Sequence, residues 1–201
     1  MSALNIKAFL FCYTYDMLTK YILHGGNAQD VNDENQRFFQ EILYAYYNHV
    51  NVLLVQFAAV SEKQEVYRER HVAQFERAKG SRTLSYEVSN EEKFDEQLKW
   101  ADVVYLCGSA GGTVRLLNVL SRIHDLKQKL KGKTVAGESA GANNLSVNCY
   151  SRSNGIMHCL GIVSVNIIAH YESGDELEML NLDNDLEILM LRNYEFRVFN
   201  I

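Results

Sequence analysis

Strand-like and helix-like segments alternate along this chain from Lys20 to about residue 145, and no other feature restricts its fold as strongly. Lys20, Tyr21, Ile22 and Leu23 run into His24-Gly25-Gly26, a strand stopped by a glycine turn. Residues 32–49 carry paired apolar positions at Phe38/Phe39, Ile42/Leu43 and Tyr46/Tyr47, the stripe of one helix face. Residues 51–58 (NVLLVQFA) form a continuous apolar run, as expected of a strand buried on both faces. Residues 61–79 are charged and helical and stop at Gly80, residues 82–88 are strand-like, and another helix begins near Lys93. Then come residues 102–106 (DVVYL), a glycine-rich loop from Gly108 to Gly112, a helix over 113–130 and a short strand over 134–136. Parallel strands joined by helices need cover on both faces. The expected fold is therefore α/β: a doubly wound, mostly parallel sheet with helices on both faces, three layers deep.

Beyond residue 145 the rhythm changes. Residues 161–169, 187–191 and 196–199 read as strands, divided by an acidic stretch from Glu172 to Glu187. No repeat, low-complexity tract or linker interrupts the chain, so residues 17–201 are expected to form one domain. Residues 1–16 precede the α/β rhythm and read as an extension, or as sequence upstream of a start at Met17. Lys and Arg number 20 against 25 Asp and Glu, a net charge of −5 with no basic cluster, which argues against nucleic acid as a partner. Cys12, Cys107, Cys149 and Cys159 have neither C-x-x-C nor zinc-ligand spacing, as free thiols in a reducing compartment would. No apolar run approaches the roughly 18 residues of a membrane span. A cytoplasmic protein is the expectation.

Chemistry concentrates at Gly137-Glu138-Ser139-Ala140-Gly141, a G-x-S-x-G placed directly after a strand and before a helical run. A serine on such a turn is held strained with Oγ exposed, and the N–H of the next residue, Ala140, faces a developing oxyanion. The second oxyanion donor should come from a neighbouring strand's loop, here Gly108 to Gly112. A serine needs a base. Of six histidines, His49, His71 and His124 fall in polar helical segments and read as solvated, and His158 lies in a loop-like stretch. His24 reads as structural or substrate-facing. His170 ends an apolar run at the edge where parallel sheets gather their functional groups, and is the expected general base. No Asp or Glu occurs from Ala140 to Tyr171 and no His follows position 170, so the order Ser…acid…His of α/β-hydrolases is excluded. Any orienting acid should follow His170.

Taken together, Tyr21 to Gly26 (YILHGG), Gly111 to Leu117 (GGTVRLL), Gly137 to Ala142 (GESAGA) and Ala169-His170-Tyr171 resemble the S51 serine peptidases, the dipeptidase E and cyanophycinase group. That resemblance runs from about Lys20 to the C-terminus and implies a class I glutamine amidotransferase-like, flavodoxin-like three-layer sandwich. It implies Ser139 as nucleophile, His170 as base, and Gly111 with Ala140 as oxyanion donors, Gly112 sharing the same loop. It also implies no metal, no cofactor and a small peptide as substrate, the founding members cleaving dipeptides that begin with aspartate. This chain departs from the family in three places. Gly112 stands where a loop asparagine is common, and if that asparagine helps hold the substrate the departure leaves aspartyl specificity open. The stretch Leu191 to Glu195 (LRNYE) matches a turn that normally carries the catalytic acid. Asn193 falls at the acid's position, and Glu195, two residues on, is ranked slightly ahead of it for that role. Finally, the chain has no proline at all, whereas relatives often have proline at the positions of Ala169 and Arg192. The acidic stretch reads as a solvated face or as a negative rim attracting a peptide's amino group. A serine hydrolase acting on short peptides is the leading expectation; a non-catalytic binding module and an esterase or acyl transferase remain open, as does a homodimer.

Overall fold

The computed structural model describes residues 18–180, 182 and 185–201. The expected extension over residues 1–16 lies outside them. In chain order the elements are β1 (Lys20–His24), α1 (Asp33–Leu43), β2 (His49–Val55), α2 (Ser61–Ala78), β3 (Thr83–Val88), α3 (Phe94–Trp100), β4 (Val103–Leu106), α4 (Gly112–Leu120) and α5 (Leu126–Lys129). They continue with β5 (Thr134–Glu138), α6 (Ala140–Leu145), β6 (Asn148–Ser151), β7 (Gly155–His158), β8 (Asn166–Ala169), β9 (Ile188–Leu191) and β10 (Phe196–Asn200).

The larger sheet has the order β10-β1-β5-β4-β2-β3 and is parallel except where β10 runs antiparallel to β1. Alternation along its strands feeds two separate cores. Ile22, Val52, Leu54, Val103, Tyr105 and Ala136 pack with Phe38, Phe39, Ile42 and Phe75 of α1 and α2. Their neighbours Tyr21, Leu23, Leu53, Val55, Val104, Leu106 and Val135 pack on the other face with α3, α4, α5 and α6. Helices thus cover both faces, as the apolar strand runs require.

Local chemistry sets the helix ends. Asn32 caps α1, its side chain accepting the Asn35 amide at 2.7 Å, and Asp33 and Glu34 complement the N-terminal dipole. The expected helix over 32–49 ends at Leu43 because His49 already belongs to β2, paired with Thr83. The expected helix over 113–130 breaks into α4 and α5, with Asp125 between them at φ 54°.

A smaller sheet, β7-β6-β8-β9, adds a hairpin that the apolar pattern did not disclose. Its turn, residues 152–154, is followed by Gly155 at φ 69°, and the Asn154-Gly155 pair is a hairpin signal in its own right. β8 carries the chain back to β1: the His170 amide donates to the Gly25 carbonyl at 2.8 Å. The Ser139 amide donates to the His24 carbonyl at 2.9 Å. These two bonds bring the ends of β1, β5 and β8 together.

Candidate active site

Ser139 sits between β5 and α6 at φ 49°, ψ −108°, a conformation that costs a non-glycine residue on the order of 1–3 kcal/mol. Packing enforces it. A Cβ on Gly137 would lie 2.5 Å from the Gly141 carbonyl carbon, and one on Gly141 would lie 2.2 Å from the Leu106 oxygen. Both flanking glycines let α6 press against β4 and β5, and α6 itself is buried along its whole length. The Ala140 amide is in the first turn of α6, where no intrahelical acceptor exists. Gly111 takes a left-handed conformation at the head of α4, with open space where a side chain would stand. The Gly112 amide, by contrast, is spent on the Ser109 carbonyl at 2.9 Å. Gly112 is therefore removed from the expected oxyanion donors; its hydrogen in place of a side chain admits the Ala58 carbonyl, 2.7 Å from where its Cβ would be.

His170 lies with Nε2 2.9 Å from Ser139 Oγ and Nδ1 2.6 Å from Asn193 Oδ1. An acceptor at Nδ1 fixes the proton there and leaves Nε2 free to take the serine proton. The imidazole fits because residue 26 is glycine: a Cβ there would lie 2.0 Å from His170 Cε1.

The ranking of Glu195 over Asn193 is reversed. Residues 192–195 form a turn, not a strand, with Tyr194 at φ 72°, so the two side chains do not share a face. Glu195 Oε2 instead accepts the Arg192 amide at 2.9 Å and closes the turn. Proline at 192 could not donate that bond, so the missing proline and the displaced carboxylate belong together. The turn is further tied down by Tyr194, whose amide donates to the Gly26 carbonyl at 3.1 Å and whose hydroxyl donates to Asp30 Oδ2 at 2.8 Å.

Behind the serine is a charged pair that sequence reasoning missed. His71, expected to be solvated, is fully buried, with Nε2 2.7 Å from Glu138 Oε1. Glu138 also accepts the Gly108 amide at 3.1 Å and the Ala28 amide at 3.0 Å, so one carboxylate fastens the elbow to the loops after β4 and β1. Burial disfavours charge on His71, but Cys107 and Glu138 outweigh it and push its pKa up to about 10. Burial likewise opposes ionisation of Glu138, and the His71 imidazolium overcomes it, bringing the pKa down to about 2. His71 Nδ1 has no well-formed acceptor, only the Cys107 sulfur nearby, whose pKa burial raises and His71 pulls back. The available signal was Glu138 itself, since a carboxylate inside an apolar strand end requires a partner.

His24 is buried and neutral. Its Nδ1 accepts the Gly26 amide at 3.1 Å while Nε2 faces Asn35 Oδ1 at 3.1 Å, and burial brings its pKa down to about 4. It thus holds the glycine that makes room for His170. His49, His124 and His158 are exposed and away from the site.

Two cavities flank Ser139 and His170, sharing both residues with Ser109 and Ala110. The larger, about 350 Å³, runs under the β6–β7 hairpin and is lined by Thr113, Asn143, Tyr150 and Ser151. Its one arginine, Arg152, is saturated: Nε and Nη2 meet Asp175 at 3.2 and 2.7 Å, and Nη1 meets Glu172 at 2.9 Å. Among the described residues of the acidic stretch, Glu172 and Asp175 pair with Arg152, Glu187 pairs with Arg197, and Glu176 accepts the Gly174 amide. The second cavity, about 310 Å³, lies toward α2 and contains Tyr67 and Arg70. Cys107, Cys149 and Cys159 carry free thiols. Among the described residues no helix is long and apolar enough to cross a membrane.

The family model of peptidase family S51 matches residues 21–189. No curated protein matches the chain by sequence. Among solved structures, a peptidase from an acI-B1 Actinobacterium superposes with a TM-score of 0.66 at 19% identity, covering 92% of this chain and 84% of its own. A peptidase E-like protein from Listeria monocytogenes EGD-e gives 0.65 at 17% identity, covering 92% and 98%. Both likenesses bear out the α/β fold.

Proposed function

The chain belongs to peptidase family S51 and is a serine-type peptidase; on that premise we propose that it hydrolyses short peptides in the cytoplasm through Ser139 and His170 by way of an acyl-enzyme. The observation carrying this reading is the 2.9 Å contact of His170 Nε2 with an Oγ held on a strained elbow. Ser139 Oγ attacks the scissile carbonyl carbon as its proton passes to His170 Nε2. The Gly111 and Ala140 amides receive the oxyanion. The C–N bond then breaks, the Nε2 proton leaves on the amine, and an ester to Ser139 remains. Water, deprotonated by the same nitrogen, attacks the ester; as the acyl C–O bond breaks, the Nε2 proton returns to Ser139 Oγ and the acid leaves.

Asn193 holds the imidazole in the working tautomer but supplies no charge to the imidazolium, so turnover should be slower than with a carboxylate there. The larger cavity's one arginine is neutralised by Asp175 and Glu172, which supports an acyl residue with a small polar or uncharged side chain over aspartate. Profiling a dipeptide library against wild type and Ser139→Ala tests the function. Release of amino acids by wild type alone is expected. Equal release by both proteins, or none by either, would refute it.

A further inference from the structure

We propose that Arg70 and Tyr67 of α2 form a subsite for the terminal carboxylate of the peptide, so that the residue released from the C-terminal side is a single free amino acid. The inference rests on Ser139 and His170 as nucleophile and base, and it adds a recognition element that their chemistry does not require. Residues 67 and 70 are one helical turn apart and so share a face; both line the cavity that opens onto Ser139 on the side away from the hairpin. His71, the next residue, turns inward to Glu138, which anchors this turn of α2 to the elbow.

Charge separates the two flanks of the cleft. Arg152, in the larger cavity, has its guanidinium occupied on every edge by Asp175 and Glu172. Arg70 has no ion pair among the described residues; its Nη1 makes one 3.4 Å contact with Gln29 Oε1, which aims the guanidinium without neutralising it. Of the two carboxylates on this cavity's wall, Glu138 is buried against His71, and Asp30 accepts the Tyr194 hydroxyl. A guanidinium and a phenol lining one cavity from the same helix face suit a carboxylate ligand. The volume, about 310 Å³, is at the small end of ligand cavities. With the scissile carbonyl at Ser139 and a terminal carboxylate at Arg70, the residue between them occupies this flank.

Binding to Ser139→Ala, which leaves peptides intact, tests the subsite apart from the chemistry. The ligands are Ala-Leu, Ala-Leu amide, Asp-Leu amide and Asn-Leu amide, titrated calorimetrically. Ala-Leu should bind about tenfold more tightly than its amide, as expected for a charge-assisted bond at a partly exposed site. Adding Arg70→Gln should erase that difference, and Arg70→Lys should keep part of it. Equal affinity for acid and amide, or a preference that survives Arg70→Gln, overturns the proposal. So does a loss on Arg70→Gln confined to Asp-Leu amide over Asn-Leu amide, which would make Arg70 a reader of the side chain. Carboxylate-selective binding in a protein whose wild type cleaves nothing would retain the subsite and refute the peptidase mechanism instead.

Discussion

Replacing His71 with glutamine should remove the titration of the charged pair behind the nucleophile while keeping a donor toward Glu138. In wild type, His71 is held at about pKa 10 against an ordinary 6.5. A raised folded-state pKa stabilises fully below pH 6.5 and loses that contribution as pH rises through the folded value. Each pH unit in that window carries about 1.36 kcal/mol, so moving from pH 6.5 to 9 should cost wild type about 3 kcal/mol that the variant never had. Glu138 gives the mirror limb: with its pKa lowered to about 2, its contribution is present above pH 4.5 and declines toward pH 2. The pair is thus at full strength between about pH 4.5 and 6.5. Because the two residues form one pair, the two limbs describe a single interaction and are not added together.

Urea unfolding followed by the fluorescence of Trp100, the chain's only tryptophan, would measure this at half-unit pH steps. At pH 6 the variant should be about 3 kcal/mol less stable, a Tm lower by roughly 6–12 °C for a chain of this size. The gap should close steadily toward pH 9. A gap that stays constant from pH 6.5 to 9 would mean that His71 is neutral in the folded protein, and the pair's electrostatics as described would be wrong.

Other outcomes follow from the same geometry. Asn193→Asp should raise kcat by about tenfold, since a carboxylate at Nδ1 stabilises the imidazolium, whereas Asn193→Ala should lower it by 10- to 100-fold with KM little changed; steady-state kinetics on one peptide checks both. Gly26→Ala should lower kcat at least about 100-fold with far-ultraviolet circular dichroism unchanged, because its Cβ would occupy the place of the His170 ring. In a pH titration by NMR, the His24 imidazole should protonate near pH 4, and its depressed pKa should withdraw stability as pH falls from about 6.5 to 4; a midpoint near 6.5 would contradict its burial as a neutral acceptor for the Gly26 amide.

Legibility in the sequence followed the physics of each feature. The larger sheet's interior strands could be read because β1, β2, β4 and β5 are buried on both faces over most of their length and carry short apolar runs there. The elbow could be read because Gly137 and Gly141 meet backbone atoms that no side chain can replace. The β6–β7 hairpin was hidden because its strands are short and only partly buried, leaving no apolar run to see. His71 was missed because its partner is 67 residues away and its helix is charged on its outer faces. The choice between Asn193 and Glu195 turned on whether residues 192–195 formed a strand or a turn. In a strand the two side chains would share a face and either could serve; a left-handed Tyr194 and a carboxylate folded back onto the Arg192 amide gave the place to Asn193.

The central claim is that Ser139 is a nucleophile activated by His170. Intact-mass spectrometry after incubation with a fluorophosphonate, followed by peptide mapping, tests it most directly. The account predicts one adduct per chain, located on Ser139, absent from Ser139→Ala and formed at least about 100-fold more slowly by His170→Ala. An unmodified wild type, or an adduct on any other residue, would contradict it.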